Sequence, residues 1–439
     1  MARQMKDSGV EWIGQIPEDW DVARLCDIKS EKKFAIVDGP FGSAISTNDY
    51  REKGVPLIRI SNLKNGEVSD EDMVYISEEL AESVRRSCIG LSDIVFAKTG
   101  ATIGKCGINR LIKYGILASS CIKISISHKY NCDYFYYIFS TDQFNQALRN
   151  TCTGTTRDTI NLTPFSKLNV LLPPYCIQNR IASYLDRKCA EIDAIIAKQQ
   201  QIIEKLKEYK LSVITEAVTK GLDPNVPMKD SGVEWIGKVP ENWQLSHIGN
   251  LVEMGSGGTP DRKKTEYWEN GNIPWMSSGE INNEYIYSTI EQITELGLQN
   301  SNAKILPVNT VMLGLIGQGK TKGLAAILKN EVCCNQNLAY LIADEKFLHY
   351  RYLFYCFKAM YFYMRGLVGE SQAGIYSYFL KKLYIPLPDT ERQIKISDYL
   401  DAKCKAIKTT IAVRESIIER FTDYKRTLIY EIVTGKREV

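Results

Sequence analysis

Histidine is scarce in this sequence, and long apolar runs are absent. Of 439 residues only His128, His247 and His349 are histidine, none beside a second ligand at metal spacing, so no metal site is expected. No stretch approaches the ~18 consecutive apolar residues of a spanning helix, which excludes a transmembrane protein. Residues 1–7, MARQMKD, contain no apolar signal region, so a cytoplasmic location is expected. The twelve cysteines include no C-x-x-C pair, and the adjacent Cys333 and Cys334 read as small buried apolar residues in a reducing compartment. An excess of one charge is also missing. The chain carries 55 basic and 52 acidic side chains, a net +3, which neither demands nor excludes nucleic acid. No N/D-P-P-Y/F methyltransferase motif is present, and no PD-(D/E)xK nuclease constellation stands out. What remains is ordinary globular composition, 44% hydrophobic and 24% charged, in a chain long enough for more than one core.

The sequence is written twice. Residues 5–20, MKDSGVEWIGQIPEDW, return at 228–243 as MKDSGVEWIGKVPENW, thirteen of sixteen positions being identical. A second match begins at Leu168 and Leu383. It pairs Pro173 with Pro388, Gln178 with Gln393, Tyr184-Leu185-Asp186 with Tyr399-Leu400-Asp401, and Val218-Thr219 with Val433-Thr434. Residues 21–152 and 244–367 align poorly. Constant ends around divergent middles point to one scaffold carrying two different recognition surfaces, the alternative being a duplication that drifted everywhere outside its core.

The second match is helical. Leu185, Cys189, Ile192, Ile196, Gln199, Ile203, Leu206, Lys210, Val213 and Ala217 recur at alternating steps of four and three. Leu400, Cys404, Ile407, Ile411, Arg414, Ile418, Phe421, Lys425, Leu428 and Ile432 follow suit. Glycine and proline are absent until Gly221 and Gly435, placed as C-caps. Each half should therefore end in a helix of roughly 40 residues, ~60 Å long. The simplest partner for each seam is the other, through Leu185, Ile192, Ile196, Ile203 and Leu206 against Leu400, Ile407, Ile411, Ile418 and Phe421. Antiparallel pairing would relate the halves by a pseudo-twofold axis.

The middles alternate short β-branched runs (55–60, 93–97, 121–124, 273–276, 310–313, 338–342) with Gly, Asn and Asp, and hold aromatic stretches at 134–139 and 350–357 that read as helices. The fold expected is α+β: two similar domains, each mixed α/β with a twisted, mainly antiparallel sheet, joined by two long helices in an antiparallel coiled coil. Boundaries are expected at 1–170 (first domain), 171–226 (first helix and linker), 227–385 (second domain) and 386–439 (second helix). Tracts 94–132 and 296–330 contain six and four basic residues and no acid, at corresponding places in the two copies. Such tracts can present phosphate-binding surfaces on a near-neutral chain. Trp12, Trp20, Trp235 and Trp243 keep fixed spacing in both copies and read as packing anchors. Residues 314–321, GLIGQGKT, fit G-x-x-x-x-G-K-[ST] in full. The segment after them is too short and too glycine-rich for the helix a nucleotide-binding loop needs, and copy one breaks the motif at 98–105. An NTPase using 314–321 is thus an alternative function, and a coiled-coil adaptor that touches no nucleic acid is another.

Taken together, KDSGVEWIG-x-[IV]-P-x-x-W, the Q-x-x-I-x-x-Y-L-D helix start and the V-T-K-G or V-T-G-K helix end resemble the specificity subunits of type I restriction–modification systems, over nearly the whole chain. One departure is that Ile177 and Arg392 stand where the family usually has Glu before the helix Gln. The resemblance implies two target recognition domains, each reading half of an asymmetric bipartite site in double-stranded DNA, with the helices setting the spacer. It implies two methyltransferase subunits and restriction/translocase subunits as partners. S-adenosylmethionine, ATP and Mg would reside on those partners, leaving no cofactor and no catalytic residue in this chain. Base edges and phosphates are recognised by amide, hydroxyl, basic and acidic groups. On that chemistry the DNA-contact candidates are Arg59, Ser61, Asn62, Lys64, Lys98, Thr99, Lys105, Thr155, Thr156 and Arg157 in the first domain. In the second they are Thr259, Ser277, Ser278, Glu280, Gln318, Lys320, Lys322, Asn335, Gln336, Asn337 and Gln372.

Overall fold

The computed structural model describes residues 4–42, 44–152, 158–316, 321–368 and 374–439. Two units are built from it: Met1–Gln199 with Ser416–Val439, and Gln200–Glu415. Each unit thus holds one divergent middle, the adjoining part of its own long helix and the far end of the other.

In the first unit one sheet has the order Ile36–Asp38, Cys121–Ser125, Asp93–Ala97, Cys106–Ile108, Glu67–Val68, Leu63–Lys64. A second has the order Val74–Ile76, Val55–Ile58, Gly115–Leu117, Cys88–Ile89. Pairing is antiparallel except where Cys106–Ile108 meets Glu67–Val68 and where Gly115–Leu117 meets Val55–Ile58. The second unit repeats this plan. One sheet runs Val252–Ser256, Leu338–Ala343, Val311–Gly314, Ala325–Leu328, Tyr285–Ile286, and the other Glu291–Ile293, Ile273–Met276, Cys333–Cys334. Its two parallel pairings fall at the same places. The middles that resist alignment therefore share one topology, including both exceptions to the antiparallel rule, the first adding the edge strands Leu63–Lys64 and Cys88–Ile89.

Each middle packs an aromatic helix on its larger sheet. Cys132–Phe139 is capped by the Asn131 side chain, which accepts from the Tyr134 amide at 2.9 Å. It buries Tyr134, Phe135, Ile138 and Phe139, with Phe139 5.2 Å from Phe96 and 4.9 Å from Phe144. Tyr350–Ala359 does the same with Tyr352, Leu353, Phe354 and Phe357. Trp20 and Trp243 are buried, and Trp12 packs edge-on to Phe144. Trp235 half-buries its ring and donates to the Tyr384 carbonyl at 3.2 Å. All four tryptophans are therefore anchors.

The long helices span Tyr175–Lys220 and Thr390–Val433, and Gly221 and Gly435 follow them with φ of +80° and +70°. Every seam position named above is buried or half-buried, while residues between them are largely exposed. In the first unit Lys425 pairs with Asp193 at 2.6 Å. The buried Tyr134 hydroxyl lies 3.3 Å from the Val433 carbonyl and 3.5 Å from that of Leu171. The end of one helix thus reaches the strand that leads into the other, so the two run in opposite directions. The second unit mirrors this: the Tyr352 hydroxyl faces the Val218 carbonyl at 2.9 Å and that of Pro386 at 3.1 Å. Burial pushes both phenols well above their ordinary range, so each remains a donor.

The repeated Gln and Asp at the helix starts hold the aromatic helices in place. Gln393 accepts from the His349 amide and donates to the Phe347 and Pro388 carbonyls, all at 2.8 Å. Gln178 accepts from Asn131 at 2.9 Å and donates to Pro173 at 2.8 Å. Asp186 accepts from Tyr137 at 2.7 Å, and Asp401 from Tyr355 at 2.6 Å. Gln393→Leu strands one amide and two carbonyls and should cost about 3 kcal/mol in urea unfolding. Arg392→Ala, which removes only an exposed pair with Asp389, should cost under ~0.5 kcal/mol. Equal losses for the two variants would contradict this account.

Candidate nucleic-acid interface

The strand ends of each unit meet at one rim. In the first, Gly39 N–H donates to the Cys121 carbonyl (2.9 Å), Ala118 to Ile58 (2.9 Å), and Lys98 to Ser120 (2.7 Å). A Cβ on Gly39 would lie 1.9 Å from the Ala118 oxygen, so the approach admits glycine alone. In the second, Gly258 donates to Cys334 (2.9 Å), Asn335 to Met276 (3.1 Å), and Leu315 to Asn337 (2.9 Å). A Cβ on Gly257 would lie 1.9 Å from the Cys334 oxygen. The Ala118 and Lys98 bonds recur at Asn335 and Leu315, and the tight glycine recurs, so the two rims share this much backbone and differ in side chains.

On the first rim Lys98 is paired with Asp38 at 2.6 Å, and Arg86 approaches the same carboxylate at 3.8 Å. Thr99 is half-buried and bridges to Thr159 through the backbone, while Lys105 and Ser61 are exposed. The Arg59 guanidinium donates to the Asp72 carbonyl and stands 5.8 Å from the Tyr50 ring centre. Asn62 is buried: it accepts from the Arg59 amide and donates to the Glu71 carbonyl, both at 3.0 Å. Its job is to close that turn. Lys64 is paired with Glu71 at 2.6 Å, which raises its pKa first through that hydrogen bond. Thr155, Thr156 and Arg157 lie outside the described residues.

On the second rim the Thr259 hydroxyl donates to Gln336 Oε1 at 2.5 Å, holding two exposed or half-exposed polar groups together. Ser277 donates to Glu280 through both its amide (2.7 Å) and hydroxyl (3.0 Å). Glu280 also accepts from the Ile290 amide at 2.9 Å and is buried, so it fastens the 277–290 turn. Ser278 and Asn337 are half-buried. Asn335 is buried and accepts from the Asn337 amide at 3.1 Å; Lys322 is buried too. Gln318, Lys320 and Gln372 lie outside the described residues. Two rim groups escaped the sequence reading. Arg262 stacks 3.8 Å from the Trp268 ring centre and pairs with Glu291, its signal being the run Arg262-Lys263-Lys264 beside Thr259. Phe41 stands three residues beyond Asp38.

The nucleotide-loop pattern falls between two strands of one antiparallel pair. Leu313 pairs with Ala325 and Val311 with Ile327, antiparallel, so the chain returns along the same sheet instead of entering a helix. A phosphate cradle of that kind needs a strand–loop–helix. Among the described residues no group of three or more His, Cys, Asp and Glu could hold a metal ion.

Two segments of the chain, residues 17–208 and 240–417, match the family model described as the type I restriction modification DNA specificity domain. The chain belongs to this family. It is a specificity subunit of a type I restriction–modification system, a role that entails DNA sequence recognition within a complex of other subunits. A Methanocaldococcus jannaschii protein carrying the name of the MjaX type I restriction enzyme specificity subunit is 24% identical over 97% of this chain and 96% of its own. The EcoR124I/EcoR124II specificity subunit of Escherichia coli is 25% identical over 58% of this chain and 59% of its own. A solved chain from work on complex assembly and conformational transition of the type I R-M system has the same fold. Its TM-score is 0.74 at 14% identity, over 96% of this chain and 99% of that one. The HsdS subunit from Thermoanaerobacter tengcongensis gives 0.52 at 14% identity, over 96% of this chain and 98% of that one. In this specificity subunit no helix among the described residues is long and apolar enough to cross a membrane.

Proposed function

We propose that this chain is the non-catalytic DNA reader of a cytoplasmic type I complex. Its two target recognition domains, 1–170 and 227–385, each recognise one half of an asymmetric bipartite site in double-stranded DNA. The long helices, at 171–226 and 386–439, set the distance between the half-sites. Two methyltransferase subunits and the restriction/translocase subunits assemble on it and bring S-adenosylmethionine, ATP and Mg. The observation that carries this reading is the pair of rims: the same close backbone approach at Gly39 and Gly257 and matching bonds at Ala118 and Asn335, with Lys98, Thr99 and Ser61 on one and Thr259, Gln336 and Asn337 on the other. A duplicated frame with unlike side chains suits a target with two unlike halves.

The decisive experiment compares adenine methylation across the source genome with and without this gene. Loss of methylation at one asymmetric bipartite motif is expected. An unchanged pattern, in cells where the partner methyltransferase is expressed, would refute the reading. For the purified complex, DNA affinity should fall at least tenfold between 50 and 200 mM salt, as phosphate neutralisation by several Lys and Arg dictates. A flat salt response favours the adaptor reading.

A further inference from the structure

Phe41 is the most exposed large apolar side chain among the described residues, at 89%. It is not at a ragged end. Gly39, two residues before it, is tied to Cys121 and wedged against the Ala118 carbonyl. Pro40 fixes the next φ. The Phe41 carbonyl then accepts from Ala44 N–H at 2.8 Å, so the backbone is held on both sides of the ring. The ring thus projects from a rigid base, three residues from Asp38 with its two cations, Lys98 and Arg86. Among the described residues no aromatic or cationic group stacks on either of its faces.

The second unit supplies an internal comparison. Gly39 and Gly257 occupy the same place in the fold, each blocked at 1.9 Å by the carbonyl of an equivalent strand end. Counting forward two residues sets Phe41 against Thr259, which is held by Gln336. One frame position therefore carries a polar group in one copy and a bare phenyl ring in the other. Apolar side chains on rigid turns are the wedges with which proteins part adjacent base pairs.

Building on the DNA-reading role, we infer that Phe41 inserts its ring between two stacked base pairs of the half-site read by the first unit. Lys98 and Arg86 stand beside the turn where flanking phosphates would lie. The contact uses the π-face of a base, so it contributes affinity and local unstacking without adding to the salt slope.

The test uses the complete complex with its methyltransferase subunits and duplexes bearing the methylated motif. 2-Aminopurine is placed in turn through both half-sites, leaving out the adenines that are methylated. The expected result is fluorescence enhancement at one step of one half-site, lost in Phe41→Ala and retained in Phe41→Trp. Phe41→Ala should also bind about tenfold more weakly or worse, with an unchanged salt slope. Unchanged affinity and fluorescence in Phe41→Ala overturn the inference while leaving the DNA-reading role intact. Failure of the unaltered complex to bind its motif overturns both.

Discussion

Glu284→Gln is expected to lower the stability of the second unit by about 2–4 kcal/mol at pH 7, slightly below the cost of breaking a fully buried ion pair because the Glu284 side chain is 25% exposed. Three ammonium groups converge on this carboxylate. Lys210 comes from the first long helix at 3.4 Å, Lys358 from Tyr350–Ala359, and Lys408 from the second long helix. Glu284 therefore binds both helices to the aromatic helix of its unit. Its glutamine variant leaves three cations facing each other. The corresponding seam of the first unit is simpler, since position 193 is Asp where 408 is Lys, and Lys425 is neutralised directly. Asp193 is 56% exposed, so Asp193→Asn should cost no more than ~1 kcal/mol. Because the chain has two units, global unfolding need not be two-state. Hydrogen exchange of the 350–359 amides is the local readout. Protection unchanged in Glu284→Gln would sink the account, and Lys358→Met added to Glu284→Gln should recover part of the loss.

The same cluster fixes a pH dependence. Burial alone would raise the Glu284 carboxyl, but Lys358, Lys408 and Lys210 outweigh it and hold it at about 2, below its ordinary 4.5. A depressed carboxyl contributes stability that is complete above 4.5 and is lost as pH falls toward 2. Lys358 moves the other way from most paired lysines. Burial, and then the like charges of Lys210 and Lys408, bring it down to about 8 against the pull of Glu284. One carboxylate serves three ammoniums, so the acid gains more than each base does. Between about pH 8 and 10.5 the unfolded chain binds the Lys358 proton more tightly, so this group makes stability rise with pH across that window. Lys358→Met should remove the rise.

The long helices were legible in the sequence because few arrangements besides a helix pair bury a seam repeated over several heptads, and each of its positions is buried or half-buried. The roles of the repeated helix-start residues were not. That Asp186 serves Tyr137 and Asp401 serves Tyr355 depends on side chains 49 and 46 residues apart meeting in space. The interior topology was hidden for a different reason. Strands such as Gly115–Leu117 and Cys333–Cys334 are two or three residues long, too short for a period, and their parallel pairing is carried by backbone groups indifferent to the side chain. Leu57-Ile58 and Trp275-Met276 are equivalent, and the shared Pro56 and Pro274 before them are the trace of it that the sequence keeps. At the rims, selecting side chains by hydrogen-bonding chemistry picked Thr259, Gln336 and Lys105, which are half-buried or exposed. It also drew in Asn62 and Glu280, which the fold spends on its own turns, and passed over Phe41 because a phenyl ring offers no donor or acceptor. The flanking Gly39-Pro40 and Gly42, an exposed-turn signature around one aromatic, was the available signal.

Adding seven residues to both long helices, between 199 and 200 and between 415 and 416, is expected to lengthen the spacer of the methylated motif by about three base pairs. Seven helical residues add ~10.5 Å at 1.5 Å each, and DNA rises ~3.4 Å per base pair. A whole heptad leaves the a/d phase intact, so Ile196 and Ile203 on one helix and Ile411 and Ile418 on the other still face inward. The insertion points coincide with the boundary between the two units, so the aromatic cores, the Glu284 cluster and the Asp193–Lys425 pair keep their surroundings. Inserting into one helix alone is a different perturbation. It displaces every seam residue beyond that point relative to its partner by two turns and exposes apolar side chains, each worth roughly 1.5–3 kcal/mol when buried. That variant should lose methylation altogether, as should matched insertions of two residues, which rotate the seam by about 200°. Genome-wide adenine methylation reads all of these outcomes directly, because the half-sites identify the complex and the gap between them reports its reach. Matched heptad insertions that leave both half-sites and the spacer unchanged would show that the helices hold the domains without measuring the distance between them.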